Sequence, residues 1–273
     1  MDWRPDGASS ISPGMYHDNQ VNGDSHNMAK SVAVIICCAG PGTRFGGKRK
    51  KQYVNVGGRA VFLRSVELFS NREDVKQILL GIAEDDEELV SVKWGPNLKF
   101  FGVKTFFGGK ERFETSNKGL ELVEDGIDLV AVHDACRCCV TDEMIGKVID
   151  EASETGAAIP AAPVTATIKK AEEHTIVETV DRNNLYEAQT PQIFDAALLR
   201  KAYANLSSLD QSAISDDAQL VEALGEKVSI VETDSSNIKI TRPSDIPIAE
   251  AIIKSRPKPK ADDYRGPFIE AQW

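Results

Sequence analysis

Val32-Ala33-Val34-Ile35-Ile36-Cys37-Cys38-Ala39-Gly40-Pro41-Gly42-Thr43-Arg44 is the stretch on which the reading of the whole chain turns. Its apolar opening is short, rich in β-branched residues and stopped by Gly40 and Gly42, as in a strand buried on both faces of a parallel sheet. Downstream, Phe62, Leu63, Val66 and Phe69 recur at helical spacing, and Ile78-Leu79-Leu80-Gly81-Ile82 is a second buried run. Together they make a strand, loop, helix, strand unit, which winds right-handed. Strand 103–107, a helix near 115–123 and strand 127–132 continue the alternation. The expected fold class is therefore α/β with a mostly parallel, twisted sheet.

Thr141 is placed to cap a helix whose inner face is Ile145, Val148, Ile149 and Ala152, with Asp142 and Glu143 at its positive end and Gly156 as its stop. A strand at 157–162 follows. The pattern then changes. Two β-prone stretches, 165–168 and 175–180, flank Glu172-Glu173-His174 and read as a hairpin, which is only marginally stable unless it packs on something. Asp195 and Ser215 read as helix caps, Gly225 as a terminator, and 228–231 and 238–240 as the last strands. The domain organisation expected is a polar tail at 1–30, one folded unit at 31–254 with the hairpin arm at about 164–182, and a second tail at 255–273.

The 273 residues are 41% hydrophobic and 27% charged, a globular composition without an apolar run of the roughly 20 residues that a membrane span requires. The net charge of -10 sets the surface as a whole against nucleic acid, so basic residues serving an anionic ligand must be concentrated locally. The five cysteines, Cys37, Cys38, Cys136, Cys138 and Cys139, fall in two tight clusters that suit reduced thiols and a cytoplasmic location better than a disulfide framework.

Three segments carry chemistry. In the loop at 39–51, Gly40 and Gly42 let backbone amides approach phosphate oxygens, and Arg44 and Lys51 supply charge; the same residues also suit an ordinary glycine turn followed by a solvated basic run. A standard P-loop is excluded, because Arg49 stands where Ser or Thr belongs after Gly47-Lys48. A dinucleotide fingerprint is disfavoured too: Phe45 replaces its third glycine, and the next strand ends near Glu84, well past the position of the ribose-binding acid. Second, Val130-Ala131-Val132-His133-Asp134 delivers Asp134 at the carboxyl end of a buried strand, where it either holds Mg²⁺ against phosphates or caps a turn and pairs with Arg137. His133 reads as a packed core histidine, and Cys136-Arg137-Cys138-Cys139 lacks the complementary pair of a zinc site. Third, Gly108-Gly109-Lys110-Glu111-Arg112 enters a helix through glycines, either to meet a base or ribose or simply to cap that helix.

In order, Ala39-Gly40 to Arg44, Lys51-Gln52-Tyr53, Gly108 to Arg112, His133-Asp134-Ala135-Cys136-Arg137, Ala162-Pro163-Val164, Val180-Asp181-Arg182-Asn183, Thr190-Pro191-Gln192 and Asn237-Ile238-Lys239-Ile240-Thr241-Arg242-Pro243 resemble the 2-C-methyl-D-erythritol 4-phosphate cytidylyltransferase family of the non-mevalonate isoprenoid pathway. The similarity runs from about residue 32 to 253. It implies a Rossmann-like nucleotidyltransferase fold with a β-arm that helps form a homodimer, using CTP and Mg²⁺ to act on methylerythritol phosphate. It further implies that Arg44, Lys51 and Lys239 handle the phosphates, that Asp134 organises metal and substrate, and that Arg137 binds substrate beside it. Thr167 and Arg182 on the arm would hold methylerythritol phosphate for the neighbouring subunit. Ala39, Gly40, Gly42, Gly108, Gly109, Arg112 and Thr115 would line the nucleotide. Ribitol 5-phosphate is the alternative acceptor. This chain departs from the family pattern at Cys37-Cys38, Lys50, Lys110 and Cys138, which stand where proline-alanine, proline, an acidic residue and proline are usual.

Overall fold

The computed structural model describes residues 30–42, 45–46 and 50–257. The tails expected at 1–30 and 255–273 fall almost wholly outside them. Strand β1 is Val32–Cys37, and all but its last residue are buried. Two short strands, β2 (Asn55–Val56) and β3 (Arg59–Ala60), lead into helix α1 (Val61–Ser70), then β4 (Val75–Ile82), α2 (Glu87–Phe100), β5 (Val103–Phe107), α3 (Arg112–Glu121) and β6 (Leu129–Asp134). Helix α4 (Asp142–Thr155) is followed by β7 (Ala157–Pro163), β8 (Ile168–Glu172), β9 (Thr175–Val180), β10 (Tyr186–Ala188) and β11 (Gln192–Asp195). Helices α5 (Ala196–Ala204) and α6 (Ala218–Glu222), strand β12 (Ser229–Glu232) and helix α7 (Asp245–Ser255) close the chain.

The main sheet runs β7-β11-β6-β1-β4-β5, with β10 and β12 also paired to β7. β1 is parallel to β4 and β6, β4 to β5, and β12 to β7; only β10 and β11 run against their neighbours. Strand order therefore turns back between β1 and β6. In open α/β sheets a ligand crevice lies outside the carboxyl ends of the strands at that point.

Alternation along β1 divides the core. Val34 and Ile36 join Phe62 and Val66 of α1, Trp94 of α2 and Val148 of α4 on one face; Ala33 and Ile35 join Phe113 and Leu120 of α3 and Leu199 of α5 on the other. Helix α4 matches its expectation at both ends: Thr141 Oγ1 accepts from the Met144 amide, and Gly156 stops the helix at φ +86°. Asp195 likewise caps α5 by accepting from the Ala197 and Leu198 amides.

Three readings need correction. The hairpin's first strand is Ile168–Glu172, not 165–168, because Glu173 and His174, at φ +47° and +67°, form the two-residue turn themselves. Ser215 does not cap α6; its amide is taken by the Gln219 side chain, and the cap position is Asp217. Residues 238–240 are not a strand: this irregular segment lies beside the chain after β6 through one bond, from the Ile240 amide to the Cys136 carbonyl. Beyond it, residues 245–255 form α7, which buries Ala249 in a third apolar cluster with Val56, Cys136 and Cys139.

Candidate active site

A cleft of about 240 Å³ opens at the carboxyl ends of β1 and β6, where the strand order reverses. Three approaches of backbone build it. The chain leaving β1 contributes Ala39, Gly40 and Gly42. The turn between β5 and α3 contributes Gly109 to Arg112, with Thr115 on the first turns of the helix. Asp134, the last residue of β6, forms part of the floor, and Lys51 and Lys239 come from the segments flanking it.

Local contacts explain each placement. Gln52 is 2% exposed, and its Nε2 donates to the carbonyls of Cys38 (2.9 Å) and Gly40 (3.0 Å), so the loop after β1 is tied to the 3-10 turn that carries Lys51. That turn is anchored in its own right by Asp86, which accepts from Tyr53 Oη at 3.0 Å and pairs with Lys50 at 2.8 Å. Glycine is required at 108, where a Cβ would stand 2.5 Å from that of Ala39, and at 109, where it would overlap the Glu114 side chain. The first approach brings the β5 turn against the β1 loop, and the second folds that turn onto α3. Lys239 is carried in by Asn237, a buried residue whose Nδ2 donates to the Thr190 carbonyl at 3.0 Å. Asp245 accepts from the amides of Thr241 and Arg242, both at 2.8 Å, and fixes the turn beyond.

Asp134 is the electrostatic centre. Its Oδ1 accepts from Arg112 Nε at 2.9 Å, and its Oδ2 meets Lys239 Nζ at 2.7 Å and Arg137 Nε at 3.6 Å. Burial disfavours its charge, but Arg112, Lys239 and Arg137 outweigh that and hold the carboxyl well below the usual carboxylate range. The pairing with Arg137 weighed from sequence is therefore present, alongside two stronger ones. Lys51 lines the cleft without an ion pair among the described residues. The lining charges are Lys51, Lys110, Arg112 and Lys239 against Glu111 and Asp134, so the cleft is locally basic in an acidic chain.

Not every residue singled out from sequence reaches this cleft. Gly108 lines the adjoining open space around Lys118 and Glu121 rather than the cleft itself. Arg137 directs Nη1 and Nη2 to the carbonyls of Asn237 (2.8 Å) and Ala188 (3.1 Å), where it braces the Lys239 segment. Thr167 and Arg182 are exposed on the arm; Arg182 donates to the Thr165 carbonyl, and neither lines the cleft. Arg44 lies outside the described residues. His133 is fully buried against Phe69, with Nδ1 3.1 Å from Thr190 Oγ1, and burial lowers its pKa to about 3. Burial also pushes the Cys37 and Cys136 thiols up to about 11, so neither supplies a thiolate at neutral pH. Missed from sequence were Gln52, whose only signal was its place in Lys51-Gln52-Tyr53, and Asp217, whose partner Arg112 lies 105 positions away.

The sequence and the fold have clear counterparts. Residues 32–255 match the family model described as IspD, 2-C-methyl-D-erythritol 4-phosphate cytidylyltransferase. The chain is 42% identical to the 2-C-methyl-D-erythritol 4-phosphate cytidylyltransferase of Endomicrobium trichonymphae, over 82% of its own length and 99% of that protein. Among solved structures it resembles the enzyme of that name from Thermus thermophilus (TM-score 0.67, 32% identity, covering 83% of this chain and 100% of that one). It also resembles the 4-diphosphocytidyl-2C-methyl-D-erythritol synthase of Anaerococcus prevotii (TM-score 0.70, 29% identity, covering 83% and 99%). The matching span takes in the whole sheet and every segment that lines the cleft, and the chain belongs to the 2-C-methyl-D-erythritol 4-phosphate cytidylyltransferase family.

Proposed function

We propose that this cleft transfers the cytidylyl group of CTP to 2-C-methyl-D-erythritol 4-phosphate, giving 4-diphosphocytidyl-2-C-methyl-D-erythritol and pyrophosphate. Membership of the family supports the activity and both substrates. The observation that carries the reading is the gathering of Lys51, Arg112 and Lys239 around Asp134 at the sheet's reversal point.

An oxygen of the acceptor phosphate attacks the α-phosphorus in line; the new P–O bond forms as the bond to the bridging oxygen of the β-phosphate breaks, and pyrophosphate leaves with the electron pair. Two anions must meet. Lys51, Lys239 and Arg44 offset their repulsion and meet the charge that builds on the α-phosphate and the leaving group. The protonated cleft thiols offer no competing covalent route. Ala39, Gly40, Gly42, Gly109 and Thr115 flank the nucleoside, with Gly108 behind them.

Magnesium suits this site. Among the described residues no group of three or more His, Cys, Asp or Glu side chains forms a metal cage, and one strand-end carboxylate together with phosphate oxygens is a donor set magnesium accepts. Asp134 would hold it, and the ion would neutralise phosphate charge.

The arm belongs to a dimer in this reading. Its Ile176 and Val177 are 61% and 53% exposed, apolar side chains that a second copy would cover, bringing Thr167 and Arg182 to the neighbouring acceptor site. Five free cysteines fit a reducing compartment such as the cytoplasm, and no helix among the described residues is long and apolar enough to cross a membrane.

Pyrophosphate release tests the whole reading. Four nucleoside triphosphates are offered with methylerythritol phosphate, ribitol 5-phosphate and other sugar-alcohol phosphates, and CTP with methylerythritol phosphate is expected to be fastest. Faster release with ribitol 5-phosphate would overturn the assigned acceptor.

A further inference from the structure

Arg112 is shared. Its Nε faces Asp134 at 2.9 Å, while its Nη1 donates to Asp217, a carboxylate with no solvent exposure at the start of α6. Asp217 in turn accepts a 2.5 Å bond from Tyr203 Oη of α5, and its amide donates to Gln192 Oε1 at 3.0 Å. Gln192 opens β11, the antiparallel strand beside β6, and also accepts from the Ala218 amide at 3.2 Å and donates to Asp216 at 2.7 Å. Asp134 thus draws Arg112 from one side and Asp217 draws it from the other.

We infer that Asp217 is a positioning residue for nucleotide binding: seated by Gln192 and Tyr203, it holds part of the Arg112 guanidinium away from Asp134, so that Arg112 lines the cleft instead of collapsing onto that carboxylate. This rests on Arg112 facing the nucleotide in the proposed reading. The physical reason is competition. With Asp217 neutral, the two Arg112 nitrogens now divided between carboxylates would both turn to Asp134, and the triphosphate would have to break a stronger ion pair to enter. The arrangement also gives a task to Thr190-Pro191-Gln192: Thr190 Oγ1 accepts from the Asp134 amide at 3.0 Å while Gln192 seats Asp217, so one short segment steadies both carboxylates that flank Arg112.

The test is a double-mutant cycle on full-length protein, read as KM for CTP, KM for methylerythritol phosphate, kcat and melting temperature. Asp217→Asn keeps the size of the side chain and loses the charge together with one of the two acceptors that Tyr203 and Arg112 use. It is expected to raise the KM for CTP about tenfold, with the acceptor KM unchanged and kcat within about threefold. In an Arg112→Lys background the same change should add less than about twofold, because its effect runs through the guanidinium. Asp217→Glu should recover most of the CTP affinity. If Asp217→Asn does not fold, Tyr203→Phe decides, with an expected rise in CTP KM of about threefold. An unchanged CTP KM in the folded variant, or effects that add fully in the double mutant, would overturn the inference. Wild-type turnover of CTP is measured in parallel: its absence would count against the cytidylyl-transfer reading, whereas normal wild-type turnover with an indifferent Asp217→Asn would count against the role of Asp217 alone.

Discussion

The cleft and the arm are built to opposite rules. In the cleft the central groups have several constraints: Asp134 is 6% exposed and meets three cations, Gln52 ties two carbonyls, and Asn237 carries Lys239 in from a distant segment. In the arm, β8 and β9 pair only with each other, nearly every residue is exposed, and the ion pair Lys170 to Glu178 spans 3.4 Å in solvent. A charge placed by many contacts can be held off its natural partners and kept ready for a ligand. An exposed hairpin holds its own shape weakly and acquires a fixed position only against something else. The difference predicts that changes in the cleft alter chemistry and folding, while changes in the arm alter association and acceptor binding.

The largest effect should come from removing a cation that meets the phosphates. Lys239→Ala, like Arg44→Ala, is expected to lower kcat by at least about a hundredfold in steady-state pyrophosphate release. Near-normal turnover would mean that the cleft's cations are structural and would erase the contrast with the arm.

Next is a pH effect confined to the core beneath the cleft. His133 titrates near 3 when folded, against an ordinary value of 6.5. Between those values the unfolded chain binds the additional proton, so stability should rise with pH and fall as the pH drops below about 6.5. At about 1.4 kcal/mol per pH unit, the loss from pH 6.5 to 5 is about 2 kcal/mol. Urea denaturation at the two values checks it, and His133→Phe should flatten this part of the slope; an unchanged slope would assign it to other groups. Asp134 acts in a different window: its folded value is depressed, so its contribution is complete above its ordinary 3.8 and is lost as the pH falls below that.

The arm should answer more gently. Arg182→Ala is expected to raise the KM for methylerythritol phosphate about tenfold and leave that for CTP unchanged, since the residue lies outside the nucleotide cleft of its own chain. Equal effects on both substrates would argue that the arm acts through the cleft. Smallest of all, Ile176→Ser should change the unfolding free energy of the isolated chain by less than about 0.5 kcal/mol, as at other exposed positions, while weakening self-association measured by sedimentation. A large stability loss without a change in association would show the arm to be part of the chain's own core.

The same contrast governs what could be read from sequence. Elements defined by local pattern were legible: β1 from its β-branched run, α1 from its helical spacing, and α4 from Thr141 and Gly156, because buried strands, amphipathic faces and caps each leave a signature within a few residues. Helix α2 left little trace. Its buried Val90, Trp94 and Leu98 recur at every fourth residue, but Gly95, Pro96 and charged neighbours blur the pattern. Residues 238–240 are β-prone in composition, yet no strand lies beside them to complete a ladder, and they serve instead to carry Lys239 into the cleft. Asp217 was invisible for a different reason: its partner Arg112 is 105 positions away, and an acidic residue at a short helix's start reads as a cap. Local pattern exposes the scaffold; the long-range ion pairs that tune the site emerge only when the chain is folded.

The central claim is that the fold gathers these cations to receive a triphosphate. A crystal structure with a non-hydrolysable CTP analogue tests it most directly. Lys51 and Lys239 are expected within hydrogen-bonding distance of phosphate oxygens, with Lys239 drawn off Asp134. A nucleotide bound with those side chains still paired within the protein or turned to solvent would contradict it.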